Sequence, residues 1–496
     1  MRTNIIARHS VGKLYRIRGE NLKGTIIRIV FFLTILIMIL LYWNRVFKPK
    51  YSDGIYDLTT YYGLEENTVD VLVLGTSHAF EDFNTGTLWD EYGISAYVLG
   101  GSMQPMWNTY YYLREALKTQ KPKVIILEGY AAIFQSDYME ESNVIKNNYG
   151  LKWSRNKIRS LDASVPAERL GDFVLAYPHY HARYNDIGRT DFVNNQGNPM
   201  YDDWKGFGCN MNTKQYDSID IRQVMRRANL NSKTELYYKS IINLAKENDI
   251  PIVIVISPYA GINESNQEVF NRVGDIAEEQ NVPYLNCNLL VEEIDIDYST
   301  DVADADHLNY KGNQKFSRYI GEYLCGNFDI PDHRGDSRYD SWENQADYIR
   351  QLISDQELVE TESLRVLLEM TTRKPYVTVV SVDDSSGLAD GDARDFLNVL
   401  NIQNGKGSGI WLYNGGDTLW NTETSSYYYR KMGSHDMLLQ RKVNPDGEYT
   451  NSVIIDKEEY VRVNNGINVV VYDPITEKIA TSFGIDFDDK YKLLRF

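Results

Sequence analysis

The chain has 496 residues, with 43% hydrophobic and 24% charged, and a net charge of −17. That length is too great for one compact core, so two or more domains are expected, and the composition is that of a folded globular protein. Of the 52 basic and 69 acidic residues, ten and one fall within positions 1–50, leaving 42 against 68 beyond them, a net −26. A surface of that sign repels polyanions, which speaks against nucleic-acid binding. The three cysteines, Cys209, Cys287 and Cys325, have neither zinc spacing nor the even count of a disulfide framework and read as small buried hydrophobes. Tyrosine is heavily used, with 38 residues; its ring suits sugar surfaces as well as ordinary cores.

In chain order, the first element is apolar. Ile29 to Trp43, IVFFLTILIMILLYW, carries no charge, and Ile26 and Ile27 extend it past Arg28. With that extension the run approaches the ~20 residues needed to span a bilayer as a helix. Arg2, Arg8, Lys13, Arg16, Arg18, Lys23 and Arg28 precede it against a single Glu20, and only Arg45, Lys48 and Lys50 follow closely. This excess of positive charge predicts a cytoplasmic N-terminus and an exported remainder. The run ends in YWNRVFKPKY, without a small-residue cleavage site, so an uncleaved anchor over residues 1–50 is expected rather than a removed signal peptide.

From Val69 onward the pattern is that of an α/β domain, expected over 51–335. VDVLVLG (ending at Gly75), SAYVLG (Ser95–Gly100), KVIILEG (Lys123–Gly129) and IPIVIVISP (Ile250–Pro258) are continuous apolar runs, as parallel strands covered on both faces require. NTYYYLREALKTQ and SKTELYYKSIINLAKEND read as helices between them, which predicts a three-layer sandwich on a parallel sheet. The alternation lapses at about 135–229, an insertion of the kind that shapes a binding cleft. NYKGNQKFSRYIGEYL closes the domain as a helix, and 336–374 reads as a helical connector. Beyond Lys374-Pro375, short runs such as YVTVVSVDD, GIWLYN, HDMLLQRKV and GINVVVYD, parted by Gly, Asn and Asp turns, predict a β-rich domain over 375–496.

A serine displayed straight after a strand and a glycine raises the question of chemistry. Ser77, in VLVLGTSHA, would stand at the carboxyl edge of the sheet, where open α/β folds place their ligands. A serine hydroxyl needs a base within hydrogen-bond reach and a third group orienting that base. Among seven histidines, His307 in DVADADHLNYKGNQKF has suitable company: Asp304 lies three residues before it, with Asp306 as the second choice. His78 reads as a packed or capping residue. His179 and His181, in PHYHAR, lack a third metal ligand; with Arg183 and Trp204 they are expected to line the substrate cleft or stabilise the insertion. His9, His333 and His435 carry no signal. No metal or organic cofactor is called for.

These motifs resemble a known family. VLVLGTSHA looks like the first sequence block of the SGNH/GDSL-type hydrolases, DADHLNYKGNQKFS like their last, and YVLGGSMQP sits where the second block supplies a glycine. The resemblance covers about 65–330. It implies a flavodoxin-like sheet, Ser77 as nucleophile, His307 as base, Asp304 as orienter, and oxyanion donors from the Ser77 amide and from Gly100 or Gly101. The third block departs from the pattern: LEGYAA places Ala131-Ala132 where the family has Asn-Asp. Losing such a donor costs ~10²–10³ in rate unless something replaces it, and Gln104 is the substitute the sequence offers. Membrane-anchored relatives that move acyl groups onto surface polymers, including the D-alanyl transfer protein of teichoic acid synthesis and the alginate acetyltransferases, are similar in topology and in this kind of deviation.

The C-terminal segment NNGINVVVYDPITEKIATSFGIDF is similar to the terminal signature of the interleukin-like EMT inducer domain, and VTVVSVDDSSGLADGDARDFLNVL to its opening. That resemblance implies an accessory domain that binds carbohydrate or serves as a spacer. The combined expectation is a membrane-anchored, extracytoplasmic serine esterase or O-acyltransferase acting on a cell-envelope polysaccharide or other acylated glycan. Transfer would need a membrane-bound partner to deliver the acyl donor. The alternative is a glycan-binding scaffold without turnover.

Overall fold

Four of the apolar runs form strands in which every residue is buried: β1 (Val71–Gly75), β2 (Ala96–Gly100), β3 (Val124–Glu128) and β4 (Ile252–Ile256). A short fifth strand, β5 (Tyr284–Asn286), joins them. All neighbours are parallel, in the order β2-β1-β3-β4-β5, so strand order reverses between β1 and β3. The computed structural model describes residues 3–49, 54–175, 177–192, 204–383, 391–400, 402, 408–489 and 492–496. Part of the insertion (193–203) and the stretch 384–390 within the C-terminal resemblance lie outside the described residues.

The unbroken apolar sequence of β1–β4 follows from helices on both faces. Val71, Val73, Val98, Ile126, Val253 and Val255 share a core with Leu88 of helix Thr85–Tyr92 and with Phe316, Ile320 and Leu324 of helix Tyr310–Asn327. Alternate residues point the other way, where helices Met106–Ala116 and Ser232–Glu247 pack on each other and on β1 and β4. Each fully buried Val, Leu or Ile contributes about 1.5–3 kcal/mol over exposure, so these two faces hold the sheet.

The chain divides into two compact units, Met1–Gly208 with Asn212–His333, and Arg334–Phe496 with Cys209–Met211. In the first, the long helix Thr3–Phe47 contains a 26-residue stretch, Leu22–Phe47, of hydropathy 2.6, whose apolar side chains from Ile26 to Trp43 are largely uncovered while Val46 and Phe47 at its end are buried. At 1.5 Å per residue it rises about 39 Å, enough to cross a hydrocarbon core of about 30 Å. The insertion fastens to its end: Arg183 donates to the Phe47 carbonyl at 2.7 Å, and Arg45 to the Phe192 carbonyl at 3.0 Å.

The second unit is β-rich and antiparallel. A six-stranded sheet runs in the order Lys492–Arg495, Lys478–Asp486, Gly466–Asp473, Val377–Val382, Gly409–Asn414 and Asp417–Asn421, with Gly466–Asp473 and Val377–Val382 at its centre. One face, with Val380, Val382, Val469 and Phe483, packs on Leu367, Leu368 and Phe396 from two helices. The other, with Val379, Leu412 and Val470, packs on Met437, Leu439, Val453 and Ile455 of a four-stranded sheet. The segment 336–374, expected as a connector, is built into this unit: Leu358, Leu367, Leu368 and Met370 belong to its core. Its helices are amphipathic, and an apolar stripe seeks cover rather than solvent.

Two glycines let the sheet carry its site. A Cβ on Gly75 would stand 2.6 Å from Glu128 Cβ, and one on Gly100 would stand 2.9 Å from the Thr76 carbonyl oxygen. The ends of β1, β2 and β3 therefore close to a distance that no side chain permits. Gly75→Ala is expected to destabilise the first unit by about 1–3 kcal/mol, as overpacking does. Thermal unfolding followed by circular dichroism should show a lower midpoint, whereas an unchanged one would mean that the approach relaxes without strain.

Candidate active site

β1 ends at Gly75, and Thr76 turns the chain into the short helix Ser77–Asp82. Thr76 caps that turn: its Oγ1 accepts from the His78 amide at 3.3 Å. Its own amide and hydroxyl donate to Glu128 Oε2, at 3.3 and 3.1 Å. The other oxygen, Glu128 Oε1, accepts from the Tyr130 amide at 2.7 Å. A fully buried carboxyl at the end of β3 thus clamps the turn that presents Ser77. Burial pushes its pKa up, while His78 and the amides of Tyr130 and Thr76 pull it back. Nothing but a single charge closing an apolar run marks Glu128 in the sequence.

The opposing loop is held just as tightly. Val302 and Leu308 pair as an antiparallel bridge, and the Ala303 amide donates to the His307 carbonyl at 2.9 Å. Inside the loop, Asp304 Oδ1 accepts from the amides of Asp306 and His307, both at 2.9 Å, a turn of the kind that aspartate side chains favour. The same oxygen lies 3.0 Å from His307 Nδ1. His307 Nε2 lies 2.8 Å from Ser77 Oγ. Ser77, His307 and Asp304 are therefore brought into one chain of hydrogen bonds, and the Asp306 carboxylate takes no part in it. With Asp304 accepting the Nδ1 proton, Nε2 is left free to accept from the serine.

The surroundings are anionic. Glu81 Oε1 stands 4.0 Å from His307 Nε2. Burial alone would lower the His307 pKa, but Glu81, Asp82 and Asp304 outweigh it and raise it above the ordinary value. Burial likewise pushes Asp304 up, and the amides of Asp306 and His307 with the imidazole hold it below the usual carboxylate range. Behind Ser77, His78 is 1% exposed and lies on the Tyr130 ring at a centroid distance of 3.9 Å, with the His307 ring at 5.1 Å. Burial drives its pKa down to about 4, against the pull of Glu128.

Gly100 ends β2, paired with Gly75 at the end of β1, and Gly101 follows it. Gln104 does not serve as foreseen: its Nε2 donates to Thr109 Oγ1 at 3.1 Å, in the first turn of the helix Met106–Ala116 that follows it, and its buried carbonyl oxygen is the atom nearer Gly101. Ala131 and Ala132 are buried in the short helix Tyr130–Ile133 and offer no side-chain donor. His179 spends both ring nitrogens inside the insertion, on Glu141 Oε1 at 2.7 Å and the Asp172 carbonyl at 2.9 Å, stacked on Phe173. His181 Nδ1 meets the Pro178 carbonyl at 2.8 Å. Arg183 pairs with Asp191 at 3.0 Å while holding the end of the long helix. These three knit the insertion together, and among the described residues none of their hydrogen bonds or ion pairs reaches Ser77, Asp304 or His307. Trp204 sits at the outer edge of β2, its carbonyl accepting from Thr85 Oγ1 at 3.2 Å. Among the described residues no group of three His, Cys, Asp or Glu is arranged to hold a metal ion.

A scan against protein-family models gives no match, and a search of curated proteins gives none either. Among solved structures, the chain is similar to a protein assigned to the lipolytic G-D-S-L family from Desulfitobacterium hafniense DCB-2, at 13% identity and a TM-score of 0.28, covering 52% of this chain and 100% of that one. It is also similar to a protein assigned as an acylhydrolase from Bacteroides fragilis NCTC 9343, at 10% identity and a TM-score of 0.28, covering 54% and 92%. Likenesses this faint say nothing of activity or substrate.

The two histidines should titrate in opposite directions. Proton NMR of the full chain should give His307 a midpoint above its ordinary value of about 6.5, falling in Asp304→Asn. The linkage signs differ accordingly. The stability His307 contributes is complete below about 6.5 and is lost as pH rises through its folded value. Buried, neutral His78 instead costs stability as pH falls from about 6.5 towards 4.

Proposed function

We propose that this chain is a membrane-anchored serine ester hydrolase or O-acyltransferase in which Ser77 is the nucleophile, His307 the base and Asp304 its orienter. The observation that carries the reading is the 2.8 Å contact between Ser77 Oγ and His307 Nε2, with Asp304 on the opposite nitrogen. In this reaction Ser77 Oγ attacks an ester carbonyl while its proton passes to Nε2, and Asp304 stabilises the imidazolium. The oxyanion faces the Ser77 amide, which as the first of its helix has no intrahelical acceptor, together with an amide at Gly100 or Gly101. Collapse of the intermediate expels the alcohol, which takes the proton from His307, and leaves an acyl group on Ser77. His307 then deprotonates water or a second alcohol, which attacks the acyl-serine and frees the enzyme.

The finer parts of the proposal rest on the sequence. The flavodoxin-like layering agrees with the strand order β2-β1-β3-β4-β5. The uncovered apolar helix supports an anchor, and the basic residues before it support a cytoplasmic N-terminus with an extracytoplasmic site. In that setting the substrate is an acylated cell-envelope glycan, and the β-rich unit is its accessory binding module. A membrane partner would supply the acyl group for transfer. The scaffold reading has one observation on its side, the absence of a side-chain donor at Ala131 and Ala132.

Fluorophosphonate labelling decides between the two. The intact protein should be labelled, Ser77→Ala should not, and Asp304→Asn should lower kcat on activated acetyl esters by about 10²–10⁴-fold. A protein unlabelled at Ser77 and inert towards such esters would leave the scaffold reading standing.

A further inference from the structure

Asp82 closes the short helix that begins with Ser77 and is fully buried. Its Oδ1 accepts from the amide of Leu308 at 3.0 Å. Leu308 directly follows His307, so one carboxyl ties the helix of the serine to the loop of the imidazole. The other oxygen, Asp82 Oδ2, has no hydrogen-bond partner among the described residues and stands 3.4 Å from His78 Nδ1. Both ring nitrogens of His78 are likewise unpartnered, as are the buried hydroxyls of Ser257 and Tyr298. Ser257 and Tyr298 both lie within electrostatic reach of Asp82.

Three buried polar groups, His78, Ser257 and Tyr298, thus lie around the free oxygen of one carboxyl. Each would cost about 1–3 kcal/mol if left bare. Sites of this kind are met by ordered water making two to four hydrogen bonds. His78 Nδ1, 3.4 Å away, is the described group whose distance to Oδ2 is closest to a hydrogen bond.

We propose that Asp82 is a positioning residue for His307: through the Leu308 amide it fixes the base against Ser77, and through its charge it favours the imidazolium formed when the serine loses its proton. This inference rests on the function proposed above. The groups facing His307 are Ser77, Glu81, Asp304, Asp306, His78 and Asp82, so Asp82 is one of several charges acting there. It differs from the others in being out of solvent and unscreened by salt. Burial pushes its carboxyl up to about 7, while His307 and the Leu308 amide pull it down.

Asp82→Asn keeps an oxygen for Leu308 and removes the charge. In the full chain it should lower kcat by about tenfold with KM within about twofold, and move the acid limb of kcat/KM to lower pH. In a Ser77→Ala background, NMR should show the His307 acid constant rising ~3–10-fold, a reading that needs no turnover. A protein without ester activity therefore fails the proposed function while leaving this test intact. Wild-type kcat together with an unshifted His307 midpoint in folded Asp82→Asn would overturn the proposal. If Asp82→Asn does not fold, Asp82→Glu decides: the charge stays and the anchor moves. The His307 midpoint should then remain near wild type while kcat falls; wild-type values of both would overturn it.

Discussion

A hydroxyl at position 77 and an imidazole 230 residues later must come within 2.8 Å, and much of the first unit is arranged to keep them there. The two ends of the chain segment are stitched by buried side chains. Asn84 accepts no slack: its amide donates to Ser317 Oγ at 2.7 Å and its Nδ2 to Asn313 Oδ1 at 3.1 Å. Asn309 caps the helix Tyr310–Asn327 and donates backward to the Thr300 carbonyl at 2.8 Å, fixing the base of the His307 loop. These bonds lie on or beside regular elements, which hold geometry more closely than free loops do. Partners fixed before a substrate arrives spare a reaction the entropy of bringing them together.

The same constraint explains the polar character of the sheet edge. Glu128 and Asp82 are both fully buried, on either side of the turn that carries Ser77, and burial raises the pKa of each. Carboxyls in such positions burden the fold, and they are tolerated where surrounding groups over-determine them. Here one grips Thr76 and Tyr130 and the other grips Leu308. The glycines at 75 and 100 complete the arrangement by letting three strand ends approach. Stability and site geometry are thus drawn from the same contacts.

How much of this could be read in the sequence depends on whether the cause was local. The strands β1–β4 were legible because burial on both faces writes a continuous apolar run, and the second unit because its strands alternate between turn residues. β5 was not: three residues after a proline, two of them half-exposed, carry no periodic signal. Helix Glu264–Glu279 was equally faint, since its polar face dominates its composition. At the site, Asp304 and His307 were legible because an aspartate three residues before a histidine forms its own turn. Glu128 and Asp82 act across 52 and 226 positions, and no spacing rule reaches so far. Gln104 misled for the opposite reason, since a threonine five residues away claims its amide. Of the histidines of PHYHAR, His179 answers to Glu141 and Asp172, contacts that exist only once the insertion has folded, and His181 to the neighbouring Pro178 carbonyl.

Trapping of the acyl-enzyme tests the central claim most directly. The full chain, mixed with an activated acetyl ester and quenched in acid within the first turnover, should gain the mass of one acetyl group, and peptide mapping should locate it on Ser77. Acetylation at scattered lysines, or none above that seen with Ser77→Ala, would contradict the account.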